Sequence, residues 1–163
     1  MKDVSIEKGA DLSDDRVYRY RLWRRWGKGD QMTFIGLNPS TADESVDDQT
    51  IKKCMGFARR NGCEAMQMLN LFAFRNRDPK RLKQAENPVG PRNDATLIEY
   101  ATASKLVVAC WGGDGKHLGR DKQVIKLLSN HHVELLCFGL TKKALPRHPV
   151  MLAYSTKLQR FAT

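Results

Sequence analysis

The chain has 163 residues, 41% of them apolar, which is enough for one sizeable core and so for a single domain over 1–163. Its 28 Lys and Arg outnumber 18 Asp and Glu for a formal net charge of +10, a balance that favours a polyanionic partner such as nucleic acid. No run of about 18 apolar residues occurs, and Lys2, Asp3 and Glu7 stand where a secretory signal needs its apolar stretch, so the expectation is a cytoplasmic monomer with no membrane contact.

Residues 1–15 carry no periodic pattern and are expected to be a loosely ordered segment. Residues 17–26 alternate between apolar and basic side chains, which predicts a strand with one face covered and the other in water. A turn at 27–30 leads to a short apolar run, 32–37, read as a buried strand ending at Gly36-Leu37-Asn38-Pro39-Ser40. Ile51, Cys54, Met55 and Ala58 then fall at helical spacing behind Asp47 and Asp48, with Gly62 as the stop. A strand is expected within 64–74, running through Asn70 towards Arg75, followed by a weak helix at 79–84 and a stronger one at 93–104. Residues 105–111, 118–130 and 133–138 complete the pattern as strand, helix and strand, and 140–149 reads as a loop with a short tail.

Helices between successive core strands imply a three-layer αβα sandwich around a four-stranded, mainly parallel central sheet. In such a sheet ligands bind at the carboxyl ends of the strands, where loops converge and helix N-termini point inward. The unusual residues fall at those ends: Asn38-Pro39-Ser40, Asn70 with Arg75 beyond it, Trp111-Gly112, and a late loop bearing Arg147-His148. Each has an ordinary alternative. Asn38 before Pro39 suits a turn, and a strand-end amide such as Asn70 suits a local hydrogen bond. The glycines at 112–115 lack the register of a nucleotide-triphosphate loop, and Asp47 and Asp48 suit helix capping as well as a site. The cysteines at 54, 63, 110 and 137 form no C-x-x-C pair; they are read as buried free thiols, and no metal site is expected.

Taken in order, G-L-N-P-S at 36–40, M-L-N at 68–70, C-W-G at 110–112 and R-H-P at 147–149 resemble the ordered motifs of the uracil-DNA glycosylase superfamily. From Tyr18 onward the chain also resembles DUF1643, an uncharacterised bacterial and phage family, through L-N-P-S-T-A-D with a following D-D, N-L-F-A-x-R and P-R-H-P. The first resemblance implies a uracil-DNA glycosylase-like fold and hydrolysis of the N-glycosidic bond of a modified or damaged pyrimidine in DNA, single- or double-stranded, with no cofactor. It implies that Asn38 orients the attacking water and that neutral His148 donates to the departing base. Gly36, Leu37, Pro39, Ser40, Asn70, Trp111 and Gly112 would form the base pocket, Asn70 reading the base edge. Arg75, Lys142, Lys143 and Arg147 would hold phosphates, and Val150, Met151 and Leu152 are candidate wedges into the base stack or else tail packing.

Three departures stand out, the first being Val150 in place of the serine that follows His-Pro in the superfamily motif, which loses one hydroxyl contact to phosphate. More active relatives carry an acidic residue at the position of Asn38, and an amide cannot accept the water's proton. Ser40 stands where some relatives have a bulky aromatic, so a larger base would be admitted. Two other readings remain: a non-catalytic nucleic-acid or nucleotide-binding module on the same fold, and a nucleoside or nucleotide hydrolase.

Overall fold

The computed structural model describes residues 5–161. Along the chain come β1 (Glu7–Leu12), β2 (Arg19–Arg25), β3 (Gln31–Gly36), α1 (Gln49–Arg60), β4 (Ala65–Asn70), α2 (Pro79–Gln84), α3 (Asn93–Thr102), β5 (Leu106–Ala109), α4 (Arg120–Asn130), β6 (Leu136–Cys137) and β7 (Gln159–Arg160). All seven strands join one mixed sheet in the order β1-β2-β4-β3-β5-β6-β7. The pairings β3–β4, β3–β5 and β5–β6 are parallel, whereas β1–β2, β2–β4 and β6–β7 are antiparallel.

The sheet is therefore larger than the four strands expected. The strand β1 falls inside the segment expected to be loosely ordered, of which residues 1–4 lie outside the described residues. Its sequence EKGADL has too few apolar residues to announce a strand; its pairing with β2 supplies the order. The tail likewise returns to the sheet as β7, two residues long, beside an equally short β6. β2 is an interior strand, paired on both edges. Its basic residues are not all in water, because Arg24 is fully buried on the covered side.

Alternation within the strands creates the layers. Met32, Phe34, Met66, Met68 and Val108 point to one face, where they meet Ile51, Cys54, Phe57 and Ala58 of α1. Ile35, Leu69, Val107 and Ala109 point to the other, against Leu82 of α2, Leu97 of α3 and Val124 and Leu128 of α4. Each large side chain so buried contributes roughly 1.5–3 kcal/mol, and two apolar faces demand two helical layers.

Local chemistry sets the helix ends. Asp48 caps α1, its side chain accepting from the Ile51 N–H at 2.9 Å, and the chain leaves through Asn61 and Gly62 at φ +75°. Asp78 and Pro79 start α2 in the same way, and a 3-10 segment, Gly113–Gly119, precedes α4.

The connection from β3 to α1 is held by three arginines. Arg24 donates to the carbonyls of Asp43 and Val46 and pairs with Asp47 at 2.7 Å. Arg75 reaches the carbonyls of Ser40 and Thr41, and Arg19 that of Ala42 at 2.9 Å. A loop rich in small polar residues is thereby fixed above the strand ends.

Candidate active site

Where the parallel strands end, Gly36, Leu37, Asn38, Ser40, Asn70, Trp111 and His148 line one cavity of about 200 Å³. An apolar cavity of about 150 Å³ already holds benzene, so this space suits a single aromatic base. Arg19, Asp48, Thr50, Ile51, Met68 and Cys110 complete the wall. Of the residues expected at the site, Pro39, Gly112, Arg75, Lys142, Lys143 and Arg147 do not line the cavity.

Asn38 owes its orientation to three carbonyls. Its Nδ2 donates to Asn76 at 2.8 Å, to Phe74 at 3.1 Å and to Pro39 at 3.2 Å. That cage of acceptors settles which end of the amide is nitrogen, a choice otherwise made by inference. Among the described residues no donor engages Oδ1, so the oxygen is the end left to accept from a water or ligand.

Asn70 closes β4, 3% exposed, and its Nδ2 has no partner among the described residues. The backbone beneath it is anchored, since Asn93 donates to the Asn70 and Leu71 carbonyls, each at 3.0 Å, and Arg120 donates to that of Leu71 at 2.7 Å. Gly36 lies directly across the β3–β4 ladder, and a Cβ there would stand 2.9 Å from Asn70 Oδ1. A side chain at position 36 would therefore push this amide from its present place.

His148 sits at the mouth, with part of its ring open to solvent. The Val150 N–H donates to its Nδ1 at 3.2 Å, which leaves Nε2 to carry the proton of the neutral ring. Burial lowers its pKa from the ordinary 6.5, against the opposing charge of Asp48. Both facts favour a neutral imidazole that donates through Nε2.

Asp48 spends one carboxylate oxygen on its cap and still lines the cavity. Sequence left its role open between site and helix; the structure gives it both places. Arg19 went unremarked as a site residue because its nearness depends on β2 running antiparallel beside β4, which puts the start of β2 at the end of β4. Cys110 is fully buried, and desolvation pushes its thiol up to about 12. Burial also raises the Cys54 thiol well above its ordinary value, so neither supplies a thiolate. Among the described residues no cluster of three or more His, Cys, Asp or Glu is placed to hold a metal.

The remaining expected residues have identifiable positions. Arg75 grips the loop at Ser40 and Thr41 and lies 3.9 Å from Asp43. Gly112 adopts φ +70°, ψ −158°, a region nearly closed to other residues, and its N–H donates to Pro146 at 2.9 Å, tying the end of β5 to the His148 loop. Lys142, Lys143 and Arg147 stand exposed on that same loop. Of the candidate wedges, Leu152 is 5% exposed within the core and Met151 is 88% exposed beside the mouth loop.

One family matches the chain, over residues 19–150, and its description is "Protein of unknown function (DUF1643)". No curated protein and no solved structure matches it. No helix among the described residues is long and apolar enough to cross a membrane.

Proposed function

The chain belongs to the DUF1643 family, and from that starting point we propose that it is a DNA glycosylase-like hydrolase, its fold akin to that of the uracil-DNA glycosylases, releasing a modified or damaged pyrimidine from DNA. The observation that carries this reading is the convergence of Asn38, Asn70 and His148 on one cavity of base size.

The chemistry follows from what each group can do. As the bond between the sugar C1′ and the base nitrogen breaks, its electron pair leaves with the base and positive charge develops on the sugar. His148 Nε2–H and Asn70 Nδ2–H donate to base oxygens and stabilise the charge there. Asn38 Oδ1 holds a water through one of its hydrogens, and the water oxygen bonds to C1′. The proton it sheds goes to the Asp48 carboxylate, which supplies the basicity that the amide at position 38 lacks.

Purified protein offered duplex and single-stranded DNA carrying uracil or 5-substituted pyrimidines is expected to release free base and leave abasic sites. Asp48→Asn keeps a good helix cap and is expected to lose about 10²–10⁴ in rate, the usual worth of a positioned general base. Absence of release from every substrate overturns the proposal, and binding without release assigns the chain to a binding module instead.

A further inference from the structure

Among the described residues, three arginines are more than nine-tenths buried: Arg19, Arg24 and Arg120. Two of them are fully engaged. Arg24 meets Asp47 and the carbonyls of Gly9, Trp23, Asp43 and Val46. Arg120 meets Asp94, Gln123 and the Leu71 carbonyl. Arg19 makes a single hydrogen bond, from Nη1 to Ala42, while its Nε is buried without a partner. None of the ion pairs among the described residues includes it.

A guanidinium taken out of water without a direct ion pair is costly; Asp48 on the same cavity wall and Asp43 act on Arg19 only through space, with Arg75 and Arg24 opposing them. Arg19 differs from the other two in where it lies, because it is the one of the three that lines the cavity. Asn70, on the same wall, has a buried and unpartnered Nδ2 as well. Two unsatisfied donors, one of them cationic, call for a ligand that presents acceptor oxygens bearing negative charge.

We infer that the cavity recognises an anionic ligand, a pyrimidine derivative carrying a carboxylate or phosphate that serves as the counterion of Arg19. This rests on the proposed function for the pyrimidine and on the unpaired Arg19 for the charge. Burial lowers the Arg19 pKa to about 10 even with Asp48 and Asp43 opposing the fall, which still leaves it charged at neutral pH. The geometry of a guanidinium suits the two oxygens of a carboxylate or phosphate better than a single base carbonyl. The negative group has two sources, a carboxylate on the pyrimidine ring or the phosphate of a mononucleotide.

Calorimetric titration separates them. The probes are 2′-deoxyuridine, 5-carboxy-2′-deoxyuridine, 2′-deoxyuridine 5′-monophosphate and inorganic phosphate, tested on the unaltered protein and on Arg19→Lys and Arg19→Met. At least one anionic probe is expected to bind about tenfold or more tighter than neutral deoxyuridine, the worth of a charge-assisted hydrogen bond. Arg19→Met is expected to abolish that preference and Arg19→Lys to keep part of it. Preference for the 5-carboxy nucleoside places the charge on the ring, and preference for the monophosphate or phosphate places it on a nucleotide. Equal or tighter binding of the neutral nucleoside, no binding of any anion, or a preference that survives in Arg19→Met overturns the inference. The comparison on the unaltered protein stands even where a variant fails to fold. Because no bond is broken in this test, loss of the glycosylase reading and loss of anion recognition are separate results.

Discussion

Asn38 meets three carbonyl oxygens through one nitrogen, so the position needs a donor and not an acid. Asn38→Asp would set carboxylate oxygens against those carbonyls; it is expected to cost about 2–3 kcal/mol of stability in a denaturant titration and to bring no gain in base release. A variant as stable as the parent would refute this account of why an amide stands there. At His148 the folded pKa lies below the unfolded one. Its contribution to stability is therefore fully present above about 6.5, where both states are neutral, and is lost as the pH falls through the folded value. Nitrogen-detected NMR is expected to show the Nε2–H tautomer at neutral pH and a midpoint below 6.5, and His148→Gln should remove this acid sensitivity. A midpoint above 6.5 would contradict the geometry at Val150.

At the scale of elements, backbone conformation outweighs side-chain chemistry at Gly112. Its φ of +70° and ψ of −158° are nearly closed to residues with a Cβ, although nothing crowds the space a Cβ would occupy. Gly112→Ala is expected to cost about 1–3 kcal/mol through backbone strain and to loosen the His148 loop that its N–H holds, read as a lower Tm together with faster amide exchange at 139–148. The core strands and α1 could be read from sequence because a short continuous apolar run, as at Met32–Leu37, marks a buried strand and the spacing at Ile51–Ala58 is cleanly helical. β1 and β7 could not, since their pairing partners supply an order that EKGADL and a dipeptide do not encode. Asn38, Asn70 and His148 stood out as polar residues at strand ends. Arg19 did not, because its place in the wall depends on the antiparallel direction of β2, a fact of topology with no local signature.

For the molecule as a whole, exposed charge and exposed apolar surface share one late stretch of chain, 142–151. Lys142, Lys143 and Arg147 are exposed on the loop that carries His148, and Met151 projects just beyond it. If DNA enters there, the slope of log affinity against log salt should flatten by about 0.9 for each of the three cations removed that contacts a duplex phosphate. Met151→Ala should weaken action on duplexes more than on single strands, where there is no stack to open. An unchanged slope in the triple variant would place the nucleic acid elsewhere. The same architecture conceals all four thiols, at Cys54, Cys63, Cys110 and Cys137, which gives the protein a built-in clock. A disulfide reagent can modify Cys110 only when the cavity wall opens, because the thiol is fully buried and stays protonated up to about 12. Labelling followed by mass mapping therefore times that opening against the other three sites, and an occupant of the cavity should slow Cys110 while leaving Cys137 on its original schedule.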